Sequence, residues 1–411
     1  MKIIHLSPGL IEIPPKGWGA IEEVIWNYKL ELEKFGHTVE IHNYFEFLKL
    51  VDNGYEYDIL HIHVSDQCHE LIERGLKYFF NIHDIHLYTN WKISKQYLDC
   101  LRAVKHSILS FSPSMFLIER MDQVKNKIIY VPHGVNKDTY KSNLNKDNSE
   151  IKLLCIAKNG TAVWKGYDNK GFIHSVEIAK KLNLPLTIVG DNTEFFSKND
   201  YDFSYVNIIQ RNVFKDELIN EFYGKHHILL HMSKLESGQP CLVILEALSC
   251  ELPVVSMSID NYEIPGVEFV KNIDDGVKSV IKIIENYDKY KEMTILSSDK
   301  YRWRNSVGII NMHYSESMKK HNIIKFVPAD DRGIPESVFN IYVQNDLLKV
   351  KLLESDKFEY DVLFKDSNQN ELYRKSLVNN TWCGVFLNKN HYFISIKRKD
   401  WVVDYVVEYK I

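Results

Sequence analysis

The 411-residue sequence has no apolar run near the roughly 20 residues that a membrane-spanning helix needs. Its six cysteines (68, 100, 155, 241, 250 and 383) lie far apart, without CxxC spacing. That scatter points to free thiols in a reduced, cytoplasmic setting, not to a disulfide framework. Eleven prolines and 18 glycines are too few for a collagen-like or low-complexity chain. An excess of one charge is missing too: 51 basic against 55 acidic residues leave a formal charge of −4. Binding to nucleic acid through a large positive surface is therefore unsupported. The opening Met1-Lys2-Ile3-Ile4-His5-Leu6-Ser7 turns polar too soon for a signal peptide.

What is present is an ordinary globular composition, 45% hydrophobic and 26% charged, with enough chain for two or three domains. Short apolar runs at 3–6, 39–42, 59–63, 78–82, 108–111 and 128–131 read as strands separated by helical patterns. A second set follows at 153–156, 186–190, 228–232 and 253–256. Strands alternating with helices predict parallel sheets, so the body reads as α/β, with two Rossmann-like doubly wound domains. The polar stretch 136–150 marks their border, giving domains at 1–145 and 146–325. Ile21, Val24, Ile25, Tyr28 and Leu32 share one helical face, and Gly36 ends that helix. Further helices are expected near 172–182, 215–224, 240–250, 274–287 and 291–320. After residue 330 the pattern changes to successive short strands with polar turns, a small all-β, sandwich-like domain at 330–411.

Two loops could carry chemistry. Gly17 and Gly19 stand between the first strand and first helix, where glycine lets backbone approach an anion at a helix N-terminus. The run Glu236-Ser237-Gly238-Gln239-Pro240-Cys241-Leu242-Val243-Ile244-Leu245-Glu246 is more informative. Pro240 suits the first turn of a helix. Glu246, in an otherwise apolar helix, needs a partner such as two ligand hydroxyls, or else faces water.

This stretch resembles the signature of retaining glycosyltransferase family 4, a GT-B fold of two Rossmann-like domains facing a cleft. The family's two glutamates are separated by seven residues; Glu236 and Glu246 are separated by nine. Glu246-Ala247-Leu248-Ser249-Cys250-Glu251-Leu252-Pro253 matches the continuation, with Glu251 where glycine is usual. The resemblance spans roughly residues 1–325. It includes Pro14 to Gly19 with Glu22, Gly36-His37-Thr38, Asp58-Ile59-Leu60-His61-Ile62-His63, Val131-Pro132-His133-Gly134, Lys170-Gly171-Phe172, Val189-Gly190-Asp191 and His231-Met232-Ser233.

The resemblance implies a nucleotide-diphosphate sugar donor, UDP-sugar before GDP-sugar, and no metal or tightly bound cofactor. It implies that Glu246 takes the ribose hydroxyls, Glu236 the donor sugar and Lys170 the diphosphate. Lys158, with Lys165 as a rival, would supply the second cation, and Gly190 lies in the following strand's loop. Amides around Cys241, Leu242 and Val243, after Gly238, would face the phosphates. His83 would approach the sugar from the first domain. The acceptor would be a glycan or another hydroxyl, and contact with a membrane surface is compatible with lipid-linked acceptors.

Other readings stand beside this one. His61 and His63, two apart on a strand, share a face, and with His83 admit a metal-dependent hydrolase. Asp200-Tyr201-Asp202 is better read as solvated loop charge than as a metal-binding DxD. A nucleotide-sugar-binding protein without turnover is a third reading. The tail, from Lys357-Phe358-Glu359 to Thr381-Trp382-Cys383, resembles β-rich tails on some phage and large-virus glycosyltransferases. With that flavour a modified DNA base is an alternative acceptor, which the overall charge does not favour.

Overall fold

The computed structural model describes residues 1–17, 19–83, 95–141, 150–157, 163–164, 167–168, 170–190, 203–204, 206–210, 213–233, 236, 238–257 and 263–320. It also describes seven backbone strands between 339 and 410; structural statements refer to these residues. The chain divides into two compact units, Met1–Asn311 and Met312–Ile411.

The first unit holds two six-stranded parallel sheets. One is ordered β2-β1-β3-β4-β5-β6: β1 Lys2–Ser7, β2 Thr38–Asn43, β3 Ile59–Ile62, β4 Phe79–Asn81, β5 Ser110–Ser112 and β6 Ile128–Tyr130. The other comprises β7 Leu153–Ile156, β10 Leu186–Gly190, β11 Asn207–Gln210, β12 Ile228–His231, β13 Val254–Met257 and β14 Val267–Val270. Its order is β11-β10-β7-β12-β13-β14, a doubly wound arrangement. Between β7 and β10 lies a small antiparallel ribbon, β8 Val163–Trp164 and β9 Tyr167–Asp168.

Strands buried on both faces explain the short apolar runs in the sequence. Leu153 and Cys155 of β7 enter one core cluster with Phe172, Ile188 and Leu230. Leu154 and Ile156, pointing the other way, enter a second with Leu229, Leu245 and Leu248. The first helix, Ala20–Lys34, buries Val24, Ile25, Tyr28 and Leu32, and Gly36 follows at φ 85°.

The expected helical segment near 291–320 is split into Tyr287–Lys300 and Trp303–Lys320, and the second of these returns to the first domain. Trp303 meets Tyr28 edge-on at 5.8 Å, and His37 Nε2 lies 2.6 Å from Asn311 Oδ1. A Cβ on Gly134 would stand 2.5 Å from the Trp303 backbone, so glycine is required where the connecting segment passes this helix.

The second unit contains antiparallel strands in two sheets. One is β15 Phe339–Gln344, β16 Leu347–Leu352 and β19 Trp382–Phe386. The other is β17 Tyr360–Asp366, β18 Glu371–Leu377, β20 His391–Arg398 and β21 Tyr405–Lys410. In the first unit, β8, β9, β11 and β14 are strands that the sequence pattern does not identify. No described helix is long and apolar enough to cross a membrane, and the five described cysteines are buried and free.

Candidate functional site

Ligands of doubly wound sheets bind beyond the carboxyl ends of the strands, where the strand order reverses. In the second sheet that point lies between β7 and β12. Four pieces of chain converge there: Lys170-Gly171, leading into helix Phe172–Leu182; His231-Met232-Ser233, leaving β12; Glu236; and Gly238 to Cys241, entering helix Leu242–Ser249.

Lys170 Nζ donates to Glu236 Oε1 at 2.7 Å, and His231 Nε2 lies 3.6 Å from the same oxygen. Burial alone would raise the Glu236 carboxyl; the Lys170 ammonium and His231 reverse this and hold it below its ordinary value. Burial likewise opposes the Lys170 charge, but Glu236 leaves that ammonium above its ordinary value. The pair is therefore ionised. His231 is buried and pushed down to about 4, hence neutral, and its Nε2 lies 3.2 Å from Cys241 Sγ. Cys241 caps helix Leu242–Ser249 without a side-chain capping bond, leaving the first-turn amides of Leu242 and Val243 at the same end.

Two glycines make this convergence possible. Gly171 has φ 72°, and a Cβ there would lie 2.2 Å from the Met232 carbonyl oxygen. It thereby ties Lys170 to the end of β12. A Cβ on Gly238 would lie 2.4 Å from His133 Nδ1. His133 is buried and pushed down to about 4 by that burial, against a smaller opposing pull from Glu236. Neither of its ring nitrogens has a hydrogen-bond partner among the described residues.

Glu246 is half-buried one turn into its helix. It accepts a hydrogen bond from the Tyr223 hydroxyl at 2.9 Å, and Tyr140 also bonds its carboxyl group. Burial raises this carboxyl to about 7, with the tyrosine hydrogen bonds opposing. Beside it Lys215 Nζ donates to both Glu23 oxygens at 3.0 Å, linking the first helix to the second domain. A second link runs through Gln239. Its N–H donates to the Pro113 carbonyl at 2.8 Å, its Oε1 accepts from Ser114 at 3.1 Å, and its carbonyl accepts from Tyr130 at 2.6 Å.

The first sheet reverses order between β1 and β3. There His5, His61, His63 and His83 form a ladder. His5 Nδ1 is 2.9 Å from His63 Nε2, and His63 Nδ1 is 3.1 Å from His83 Nε2. The tautomers are assigned from the Asn81 amide orientation. Its Oδ1 accepts from Tyr28 at 3.4 Å, so its Nδ2 donates to His83 Nε2 at 3.0 Å. His83 Nε2 is then an acceptor, His63 Nδ1 carries a proton, and His5 Nδ1 donates to His63 Nε2. Burial lowers all four imidazoles, His5 and His83 to about 3, so they are neutral.

The sequence-named Lys170, Glu236, Gly238, Cys241, Leu242 and Val243 come together, with Glu246 further along the same helix. Gly190 ends β10, and Gly19 caps the first helix just after Gly17. Lys158, its rival Lys165, Asp191, Asp200, Tyr201 and Asp202 lie outside the described residues. One placement is corrected: Pro240 precedes the helix, because Cys241 is the cap and Leu242 the first helical residue. Glu251, where glycine was expected, has φ 56°, which explains why glycine suits that position. Tyr140, Tyr223 and Lys215 carried no signal in the sequence, since tertiary contacts alone bring them to the site, and Gln239 stood in the informative run without its contacts to the first domain being legible.

No family model and no curated protein matches this sequence. Solved structures do. AviGT4, a glycosyltransferase involved in avilamycin A biosynthesis, aligns at TM-score 0.56 and 16% identity, covering 77% of this chain and 97% of that one. Anabaena HepE in complex with UDP-glucose aligns at TM-score 0.56 and 13% identity, covering 77% and 99%. The UDP-GlcNAc 2-epimerase of Neisseria meningitidis bound to UDP-GlcNAc aligns at 0.50 and 14%, covering 77% and 100%. The likeness is one of fold, and that fold is GT-B, two Rossmann-like domains.

Proposed function

We propose that this chain is a retaining glycosyltransferase that moves a sugar from a nucleotide-diphosphate sugar to a glycan or other hydroxyl acceptor. A UDP-sugar is the favoured donor, since the fold neighbours include complexes of UDP-glucose and UDP-GlcNAc. One observation carries the reading. An ionised Lys170–Glu236 pair, neutral His231 and the N-terminus of helix Leu242–Ser249 meet at the switch point of the second sheet. We assign 1–145 to the acceptor side, 146–325 to the donor side and 330–411 to an accessory role, in a cytoplasmic protein.

The chemistry follows from those groups. Transfer breaks the bond from the anomeric carbon to the phosphate oxygen, and its electron pair leaves with the diphosphate. Lys170 and the helix N-terminus stabilise the new charge more in the transition state than in the ground state. Sugar hydroxyls replace Lys170 on Glu236, and ribose hydroxyls join Tyr223 on Glu246. His83, donating through Nδ1–H, meets the sugar from the other side. For retention, the acceptor oxygen bonds to the anomeric carbon on the face the phosphate leaves, and its proton passes to the departing phosphate oxygen.

The test is a thermal-shift panel of UDP, GDP, ADP, CMP and their sugar conjugates in EDTA. A ligand of the folded state adds about 2.7 kcal/mol at a hundredfold excess over Kd. A rise with one nucleotide series, and none in Glu246→Ala, supports the site; no rise with any nucleotide overturns it. Radiolabelled UDP-sugar then distinguishes transfer from epimerisation. Loss of label to an epimer without acceptor would replace transfer by the chemistry of the epimerase neighbour.

A further inference from the structure

We propose that His5, His61 and His63 form a binding site for a divalent transition ion of the zinc class. This site lies in the first domain, one hydrogen bond behind His83, and does not depend on the function proposed above. His61 is on β3 and His63 just beyond it, so alternation places both on one face. Parallel pairing puts His5 of β1 directly opposite His61. The result is a His-x-His pair completed by a histidine from the neighbouring strand. One ring nitrogen from each residue lies within 4.8 Å of the other two, the one such group of three among the described residues.

Three further observations favour an ion. First, the side chains are wholly or almost wholly buried: His5 and His61 have no exposure and His63 has 2%. Buried imidazoles are costly unless their nitrogens are engaged. Second, the tautomers derived above leave the His5 Nε2 lone pair without a hydrogen-bond partner among the described residues. Neutral imidazole with a free lone pair is the ligating form. Third, His63 can ligate through Nε2 while its Nδ1–H remains on His83 Nε2 at 3.1 Å. An outer hydrogen bond of that kind orients metal-bound imidazoles.

An ion held at roughly 2.0–2.1 Å by tetrahedral nitrogen ligands needs those nitrogens about 3.4 Å apart. Binding therefore draws the rings together and replaces the His5–His63 hydrogen bond. A tris-imidazole site leaves a fourth position for water. Zinc fits this ligand set, whereas calcium and magnesium prefer oxygen.

The full chain, stripped with a chelator, would be titrated with Zn²⁺ alone against a chromogenic competitor, and with Co²⁺ followed by its visible absorption. The expected result is one ion per chain, a tetrahedral Co²⁺ spectrum and a Zn²⁺-dependent rise in melting temperature. His61→Gln should abolish the spectrum, and His83→Gln should weaken binding about 10–100-fold by removing the outer bond. His42→Gln, on the half-exposed face of β2, should change neither. A wild-type chain that takes up no Co²⁺ at a hundredfold excess overturns the proposal, even if the variants fail to fold. Equal uptake by wild type and folded His61→Gln also overturns it.

Discussion

Gly171→Ala tests the claim that one close backbone approach fixes Lys170 against the end of β12. Two costs can be separated. The first is conformational: at φ 72° a side chain suffers about 1–2 kcal/mol of left-handed strain. The second is steric. The new Cβ would lie 2.2 Å from the Met232 oxygen and 2.5 Å from its carbonyl carbon, and rotating a side chain cannot move those backbone atoms. Overpacking of this kind costs about 1–3 kcal/mol. The sum is about 2–5 kcal/mol. Gly75→Ala supplies the control, since Gly75 has φ 69° and nothing within 4 Å of its Cβ, leaving only the first cost.

For a body of this size, melting falls by about 3–8 °C in Gly171→Ala and about 2–3 °C in Gly75→Ala. Differential scanning fluorimetry and urea titration measure both. The urea slope should stay unchanged, because the surface exposed on unfolding is the same. If Gly171→Ala is no less stable than Gly75→Ala, Gly171 does not pin Lys170 to β12. Nucleotide affinity should also fall in Gly171→Ala and not in Gly75→Ala.

Lys170→Ala should lower turnover by about 10²–10³, as loss of a donor to a developing anion does, with a smaller change in KM. A raised carboxyl favours the fold below pH 4.5, its ordinary value, and loses that contribution as pH rises through about 7, so Glu246→Gln should flatten stability between pH 5 and 8. Because ribose hydroxyls need the carboxylate, UDP-sugar affinity should increase as pH rises through 7 and become pH-independent in Glu246→Gln. His231 is lowered to about 4, so its contribution is complete above pH 6.5 and is lost as pH falls toward 4. At pH 5 that loss is about 2 kcal/mol, and a folded His231→Gln should resist acid better in urea titrations. Glu251→Gly should raise melting, since it removes left-handed strain, while the ion pair with Lys291 that it gives up lies at the surface and contributes little.

In the second sheet, the strands legible in the sequence are those buried on both faces. β7, β10, β12 and β13 present mostly apolar runs because helices cover each side of their sheet. β11 and β14 are edge strands of the same sheet, and Asn-Ile-Ile-Gln and Val-Glu-Phe-Val carry little of that pattern. Pro240 predicts a start two residues before helix Leu242–Ser249, because proline suits a first helical turn. Here Cys241, not Gln239, supplies the cap.

The site divides in the same way. Lys170, Glu236 and Glu246 stand in short local motifs, so residue type and order expose them. Tyr223 and Tyr140 reach Glu246 from elements 23 and 106 residues away, and Gln239 reaches Ser114 across 125. No local pattern encodes such pairs. The histidines lie between these cases. Alternation along β3 puts His61 and His63 on one face, but only the pairing of β1 with β3 brings His5 to them. A pair on one strand is a common surface arrangement. The third imidazole, buried from the adjacent strand, turns that pair into a candidate ligand set, and strand register alone supplies it.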